Sequence, residues 1–125
     1  MSGKLVHFEI PYDDGERAQA FYGGAFGWQI MPMPEMGYTI VMTGPSDPET
    51  GPTEPGFING GMFQREEPFK GPNLIIDVPS VDEALKGVEA AGGSIVKERF
   101  AVGEMGFCGY FKDTEGNLLG LWENA

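Results

Sequence analysis

The sequence predicts an α+β fold made of two copies of one β-α-β-β-β module. Residues 5–11 alternate polar and apolar side chains as a strand does, and a second strand signal occupies residues 73–79. A capped helix signal and further strand signals follow each of them. The helix-ending segments begin at residues 26 and 92, and this offset of 66 aligns His7 with Asn73.

The first module begins with the only histidine of the chain. In the strand 5–11, His7 and Glu9 are expected on one face, with Phe8 and Ile10 on the other. Asp13 and Glu16 have the spacing of a capping box, which predicts a helix to about Tyr22 that glycines 23, 24 and 27 end. The further predicted strands are 28–30, 37–43 and 57–65.

The segment 44–56 is predicted to be an irregular loop within the first module. It contains Pro45, Pro48, Pro52 and Pro55, which are expected to exclude regular structure. A loop of this length in a compact domain is either disordered or functional. We expect it to be the most mobile internal segment and a candidate lid over a bound ligand.

The second module begins again at residue 73. Ser80 and Glu83 form a clear capping box, and apolar residues at helical spacing continue to the Gly92-Gly93 stop. The further predicted strands are 94–97, 108–112 and 118–123, the last two joined by a tight turn at 113–117.

Length and composition predict one soluble domain of 125 residues, with modules at 1–66 and 72–125. The apolar runs are too short to span a membrane and no signal peptide is evident, so a cytoplasmic protein is expected. A net charge of −11 argues against nucleic acid and anionic membranes as partners. Cys108 is the single cysteine and is expected to fill space in the core.

Motifs spread along the chain carry a family resemblance. They are His7-Phe8-Glu9-Ile10-Pro11, Asp14-x-x-Arg17-x-x-x-Phe21-Tyr22, Phe26-Gly27-Trp28, Val88-Glu89-x-x-Gly92-Gly93 and Asp113-x-x-Gly116-Asn117-x-x-Gly120-Leu121. Together they resemble the vicinal oxygen chelate superfamily of glyoxalases, bleomycin-resistance proteins and extradiol dioxygenases, and more closely small bacterial proteins labelled as related to lactoylglutathione lyase. The resemblance implies an eight-stranded cup formed by paired modules, often in a homodimer, with metal and substrate inside the cup.

The resemblance also implies where metal ligands would stand, on the first and last strand of each module. His7 occupies the first position and Asn73 the equivalent one, whereas alignment of the last strands offers Gly120 and Gly60. One imidazole and a neutral amide cannot replace several His nitrogens or carboxylate oxygens. A divalent metal is therefore disfavoured and no cofactor is predicted, although a site rescued by His7 and Glu9 remains an alternative.

Strand alternation separates the closing strand into two faces. Leu118 and Trp122 share a face with Gly120, so Glu123 is expected to point away from the cup.

His7 and Glu9 are the predicted catalytic residues. A neutral imidazole beside a carboxylate is poised to transfer a proton near neutral pH, but a hydrogen-bonded structural histidine is an equally supported interpretation. The predicted substrate-binding residues are Met62, Asn73, Trp122, Gly60 and Gly120. Met62 and Trp122, with Met105 and Phe107, form either an apolar substrate wall or part of the core, and the Gly60-Gly61 pair marks either close ligand approach or a bulge.

Two classes of function remain open at this point. One is a glyoxalase-like lyase or isomerase of unknown substrate that has lost the usual metal site. The other is a metal-free protein of the drug-resistance type that binds and sequesters a small molecule. In both cases the expected partners are a small-molecule ligand and a second copy of the chain in a homodimer.

Overall fold

A computed structural model describes residues 3–125. Residues 7–72 form one compact unit, and residues 73–125 form the second together with the N-terminal residues 3–6. Each unit carries one β-α-β-β-β module, so the predicted α+β fold class is confirmed. No helix among the residues described is both long and apolar enough to cross a membrane.

The first unit holds four main strands and one long helix. They are β1 (Leu5–Tyr12, which begins two residues before the unit), α1 (Gly15–Phe26), β2 (Gln29–Met33), β3 (Tyr38–Met42) and, after a short hairpin of β4 (Ser46–Asp47) and β5 (Gly51–Pro52), β6 (Asn59–Gln64). The strand order within this unit is β2-β3-β6-β1. β6 runs parallel to β1, and the other pairs are antiparallel.

Both ends of α1 differ from the prediction. Asp14, rather than Asp13, caps the helix by accepting a hydrogen bond from the Arg17 backbone N–H at 3.1 Å. The helix passes through the glycines at 23 and 24 and ends at Gly27, whose φ of +72° is a conformation that glycine adopts readily. The extra turn brings Phe26 onto Trp28, with ring centroids 5.7 Å apart, and this packing outweighs the weak helix propensity of glycine.

Helix α1 defines the two faces of the first unit. Gln19 on α1 donates a hydrogen bond to the buried hydroxyl of Thr39, so Thr39 lies on the helix side. Side chains alternate along each strand, and paired residues share a face. The opposite side is called the His7 face here, and its members include His7, Glu9, Pro11, Tyr38, Ile40, Asn59, Gly61 and Phe63.

The segment 44–56 contains regular structure, so the prediction that its prolines exclude it is wrong. Ser46 and Asp47 pair with Gly51 and Pro52 in a two-residue antiparallel ladder. The Asp47 carboxylate accepts hydrogen bonds from the backbone N–H groups of Glu49 and Thr50, which fixes the turn. A ladder this short tolerates Pro52 because few strand N–H groups are needed.

The second unit repeats the order of elements. It contains β7 (Asn73–Asp77), α2 (Val81–Ala90), β8 (Ser94–Val102), β9 (Gly106–Lys112) and β10 (Leu118–Asn124), with strand order β7-β10-β9-β8. β10 is parallel to β7 and antiparallel to β9. β8 is longer than predicted because it continues to Val102 across two register shifts against β9.

The core of the second unit lies between α2 and its sheet. Val81, Leu85, Phe111 and Leu121 are its buried centre. As predicted, the Ser80 hydroxyl caps α2 by accepting a hydrogen bond from the Glu83 N–H.

Glu123 also lies on the helix side of this sheet. Its Oε1 accepts a hydrogen bond from the Val81 N–H at 2.9 Å, and its carboxylate pairs with Arg99. The predicted orientation of Glu123, opposite to Gly120 and Trp122, is confirmed. Cys108 is buried, also as predicted.

Candidate functional site

A short chain of polar contacts lies on the His7 face of the first unit. His7 Nε2 and the Tyr38 hydroxyl oxygen are 2.7 Å apart, and the Tyr38 hydroxyl lies 3.3 Å from Glu9 Oε2 as a hydrogen-bond donor. Strand β1 supplies the two residues at i and i+2, and β3 supplies the tyrosine. The hydroxyl has one proton, so Tyr38 either donates to Glu9 while His7 donates to it, or donates to His7 instead.

Burial shapes the electrostatics of these groups. Removal from water lowers the pKa of His7 to about 4, so the imidazole is neutral at physiological pH. Glu9 is only 7% exposed, which makes it one of the most buried carboxylates of the chain. The imidazole is thus neutral, as the sequence analysis assumed, and the catalytic role of His7 and Glu9 stays a prediction.

The strand register corrects one of the positions aligned from sequence. In the second unit, Gly120 pairs with Ile75, two residues after Asn73. The equivalent residue in the first unit must pair with Glu9, two residues after His7, and that residue is Gly61 rather than Gly60. Gly60 pairs with Phe8 and therefore lies on the helix side, so it is not the equivalent of Gly120.

A tyrosine ring covers the glycine at each of these equivalent positions. A Cβ atom built on Gly61 would overlap the phenol of Tyr38, and one built on Gly120 would overlap Cδ1 of Ile75 and lie 2.9 Å from Cε1 of Tyr110. No side chain larger than glycine fits beneath either ring as the rings stand. The position from which a metal-binding carboxylate would project is thus filled by the Tyr38 ring in the first module and by Ile75 and Tyr110 in the second.

These residues do not fit the divalent cation that the resemblance implies. The four ligand positions hold one imidazole, one neutral amide and two glycines, and the imidazole contacts Tyr38. Within residues 3–125, no group of three or more His, Cys, Asp or Glu side chains is arranged to hold a metal ion. A borderline cation needs several such donors together.

The structure distributes the predicted substrate-binding residues over different faces. Met62 is fully buried and pairs with Thr39, so it lies with Gly60 on the helix side, away from His7. Trp122 shares a face with Gly120, as predicted, and its indole N–H donates to Asn124. Of the other residues of the predicted wall, Phe107 lies beneath the Arg99 guanidinium and Met105 is 58% exposed.

Asn73 begins β7 in the second unit, and its side chain is almost completely buried at 3% exposure. Neither Nδ2 nor Oδ1 has a hydrogen-bond partner among residues 3–125. Such an amide is unusual, because buried polar groups are nearly always paired.

Tyr38 is the residue that sequence analysis missed. Its hydroxyl joins the two predicted catalytic side chains, and its ring stacks on Phe63 with centroids 6.3 Å apart. The sequence did carry one signal. Tyr38 and Ile40 are two residues apart in β3, so their side chains lie on the same face of the strand. Only the pairing of β3 with β6 shows that this face is also that of His7.

Comparisons with known proteins agree with this architecture. A family model described as "Bleomycin resistance protein-like N-terminal" matches residues 4–44. A "Glyoxylase-like domain-containing protein" from Didymella fabae is 30% identical over 122 residues, covering 94% of this chain and 91% of that protein.

Similar solved structures share the fold at low sequence identity. A hypothetical protein from Bacillus halodurans C-125 has a TM-score of 0.68 at 18% identity, covering 100% of this chain and 96% of the other. Methylmalonyl-CoA epimerase from Mycobacterium tuberculosis has a TM-score of 0.61 at 19% identity, covering 98% and 88%. A further methylmalonyl-CoA epimerase, solved with methylmalonyl-CoA and NH4+, has a TM-score of 0.66 at 16% identity, covering 100% and 96%.

The paired modules and the strand faces define a protein with the glyoxalase and bleomycin-resistance fold. With the full-length glyoxylase-like relative, they establish that the chain belongs to the vicinal oxygen chelate superfamily.

The first prediction concerns the contact between Gly61 and Tyr38. Gly61→Ala is expected to lower the free energy of unfolding by about 1–3 kcal/mol, because the added methyl group overlaps the phenol ring. In the double variant with Tyr38→Ala the cost of Gly61→Ala should largely disappear, as measured by urea unfolding. Gly24→Ala is the control, since a Cβ there meets no atom within 4 Å and the helix should gain about 0.5–1 kcal/mol. Equal effects of the two alanines would contradict the packing described.

The second prediction follows from the lowered pKa of His7. An unfolded chain protonates histidine near pH 6.5, whereas the folded chain does so only near pH 4. Unfolding therefore takes up a proton between these values, and stability falls as the pH drops through this window. Between about pH 7 and about pH 4.5 the wild type should lose about 2–3 kcal/mol more than His7→Gln, measured by urea unfolding. Parallel losses in both proteins would show that His7 is not shielded from water.

Proposed function

We propose that this protein binds a small organic molecule at the His7 face of its first unit, without the chelated cation of metal-dependent family members. The observation that carries this proposal is the chain of contacts from His7 through Tyr38 to Glu9, in the place where metal ligands would stand. The tyrosine over Gly61 supplies a polar group where a ligand carboxylate is missing. Binding and sequestration, rather than metal-assisted turnover, is the function that this arrangement favours.

The chemistry of the three side chains suits recognition of a polar group. A neutral imidazole, a phenol and a carboxylate together offer both donors and acceptors for hydrogen bonds. Phe63 and Ile40 on the same face add apolar surface around them. A few convergent polar groups within apolar walls are typical of small-molecule sites.

Charge restricts the class of ligand. The chain carries a net charge of −11, and the Glu9 side chain lies within the proposed site. An anionic ligand would be repelled by this net charge. A neutral or cationic aromatic compound is therefore the expected ligand, which agrees with a sequestering protein of the drug-resistance type.

Metal-free proton transfer is the second candidate function. The specific observation in its favour is the same His7–Tyr38–Glu9 chain, which links three groups able to exchange a proton. The fold is shared with methylmalonyl-CoA epimerases, but an acyl-CoA carries phosphates that the acidic surface would repel. A proton-transfer enzyme on this scaffold would act on a substrate without phosphate groups.

The third prediction tests binding at the His7 face. A compound found by thermal-shift screening in EDTA should bind about tenfold more weakly to Tyr38→Phe, because one hydrogen bond to the ligand is lost. Tyr12→Phe is the matched control, since Tyr12 lies on the helix side of β1. Hydrogen exchange should show ligand-induced protection of residues 7–12 and of the 44–56 hairpin.

Two outcomes would contradict this account. Unchanged affinity in His7→Ala and Tyr38→Phe, with protection elsewhere in the chain, would place the ligand away from the His7 face. Product formation from methylglyoxal hemithioacetal or another substrate in EDTA would instead favour the second candidate over sequestration.

The fourth prediction is that the protein is a homodimer. Large apolar side chains remain exposed on the single chain, including Phe21 at 58% and Phe26 at 61%. Two-fold pairing is the commonest way in which such surface is covered. Light scattering at micromolar concentration should give twice the 13.5 kDa of the chain, and a monomeric mass would refute the proposal.

A cytoplasmic location also stays a prediction, which cell fractionation would test.

A further inference from the structure

The unpaired amide of Asn73 is the most unusual polar group in the second unit. Asn73 is only 3% exposed, and neither end of its amide is hydrogen-bonded within residues 3–125. By contrast, the half-buried Asn59 of the first unit has both ends of its amide bonded: it accepts from the Thr43 N–H at 3.0 Å and donates to Ser46 Oγ at 2.8 Å. The two asparagines therefore differ in their hydrogen bonding.

A buried amide without partners destabilises the folded chain, because its hydrogen bonds to water are lost and not replaced. An apolar side chain of similar size at this position would avoid that loss. An amide kept there is explained if a molecule that enters the site supplies the missing partners.

We propose that Asn73 recognises a cis-amide group of a bound small molecule, such as a lactam, imide or pyrimidinone. This inference goes beyond the proposed function, because it concerns a site made by residues of the second unit alone and names the chemical class of its ligand. Asn73 is a binding residue in this proposal, and no bond is made or broken.

The geometry of a carboxamide selects this class. Its oxygen and its NH2 group project side by side in one plane, so its best partner offers a donor and an acceptor side by side as well. A ring amide does so because its N–H and C=O are held on the same edge. A trans amide has them on opposite sides, a carboxylate has acceptors only and an ammonium has donors only, so each leaves one end of Asn73 unpaired.

The neighbouring side chains on this face suit a flat, uncharged ring. Asn73 and Ile75 alternate on one face of β7, and Ile75 lies beside Gly120. The Tyr110 ring packs over Gly120 and stacks on Phe100 with centroids 6.2 Å apart. An amide beside aliphatic and aromatic surface favours a neutral heterocycle over a charged group.

Probes of matched size test the proposal in solution. By ligand-observed NMR, δ-valerolactam, a cis amide, should bind the wild-type protein at least about tenfold more tightly than N-ethylpropanamide, a trans amide with the same number of carbon atoms. Asn73→Leu should abolish this preference. The same variant should raise the melting temperature of the ligand-free protein by about 5 °C, because it removes the unpaired amide. Asn59→Leu is the matched control and should lower the melting temperature, since its amide is paired.

The outcomes separate this inference from the proposed function. Equal binding of the two amides, or a preference that survives Asn73→Leu, would overturn the role of Asn73. A fall in melting temperature for Asn73→Leu like that of Asn59→Leu would also overturn it, because it would show that an internal water pairs the amide as part of the structure. If other small molecules still bind through Tyr38, the proposed function stands without this inference, whereas binding of no compound at all would refute both.

Discussion

The packing of Tyr38 over Gly61 is the contact on which the chemistry of the first unit depends. Only glycine leaves room for the phenol at this point of the sheet, and the ring in turn brings its hydroxyl between His7 and Glu9. A side chain at residue 61, including a metal-binding carboxylate, would displace the ring and break both contacts. The glycine at residue 61 and the position of the Tyr38 hydroxyl therefore depend on each other.

The second unit shows the same replacement with a different outcome. Tyr110 lies close to Gly120 as Tyr38 lies close to Gly61, but in the second module Ile75 is the nearest side chain to this position. The residues on the first strands differ, however. His7 has a phenolic partner, whereas the amide of Asn73 is unpaired within the described chain. The two modules thus contain one paired and one unpaired polar side chain at the equivalent position of their first strands.

Features set by local patterns could be predicted from the sequence. The capping box at Ser80 and the alternation that turns Glu123 toward α2 need only neighbouring residues, and the structure contains both. The end of α1 was mispredicted because its glycines indicated a stop, while the packing of Phe26 on Trp28 depends on the segment between the helix and β2. The β4–β5 hairpin was missed because the four prolines of this segment were taken to exclude regular structure. The turn that Asp47 fixes between the two short strands was therefore not considered.

The site itself required long-range register. His7 and Glu9 were identified from one strand, but Tyr38 joins them only through the pairing of β3 with β6, and an error of one residue exchanged Gly60 for Gly61.

The most direct test of a metal-independent site is calorimetric titration of chelator-treated protein with Zn²⁺, Ni²⁺ and Mn²⁺. We expect no binding near one ion per chain and no change in melting temperature. Stoichiometric binding that His7→Ala abolishes would contradict the account.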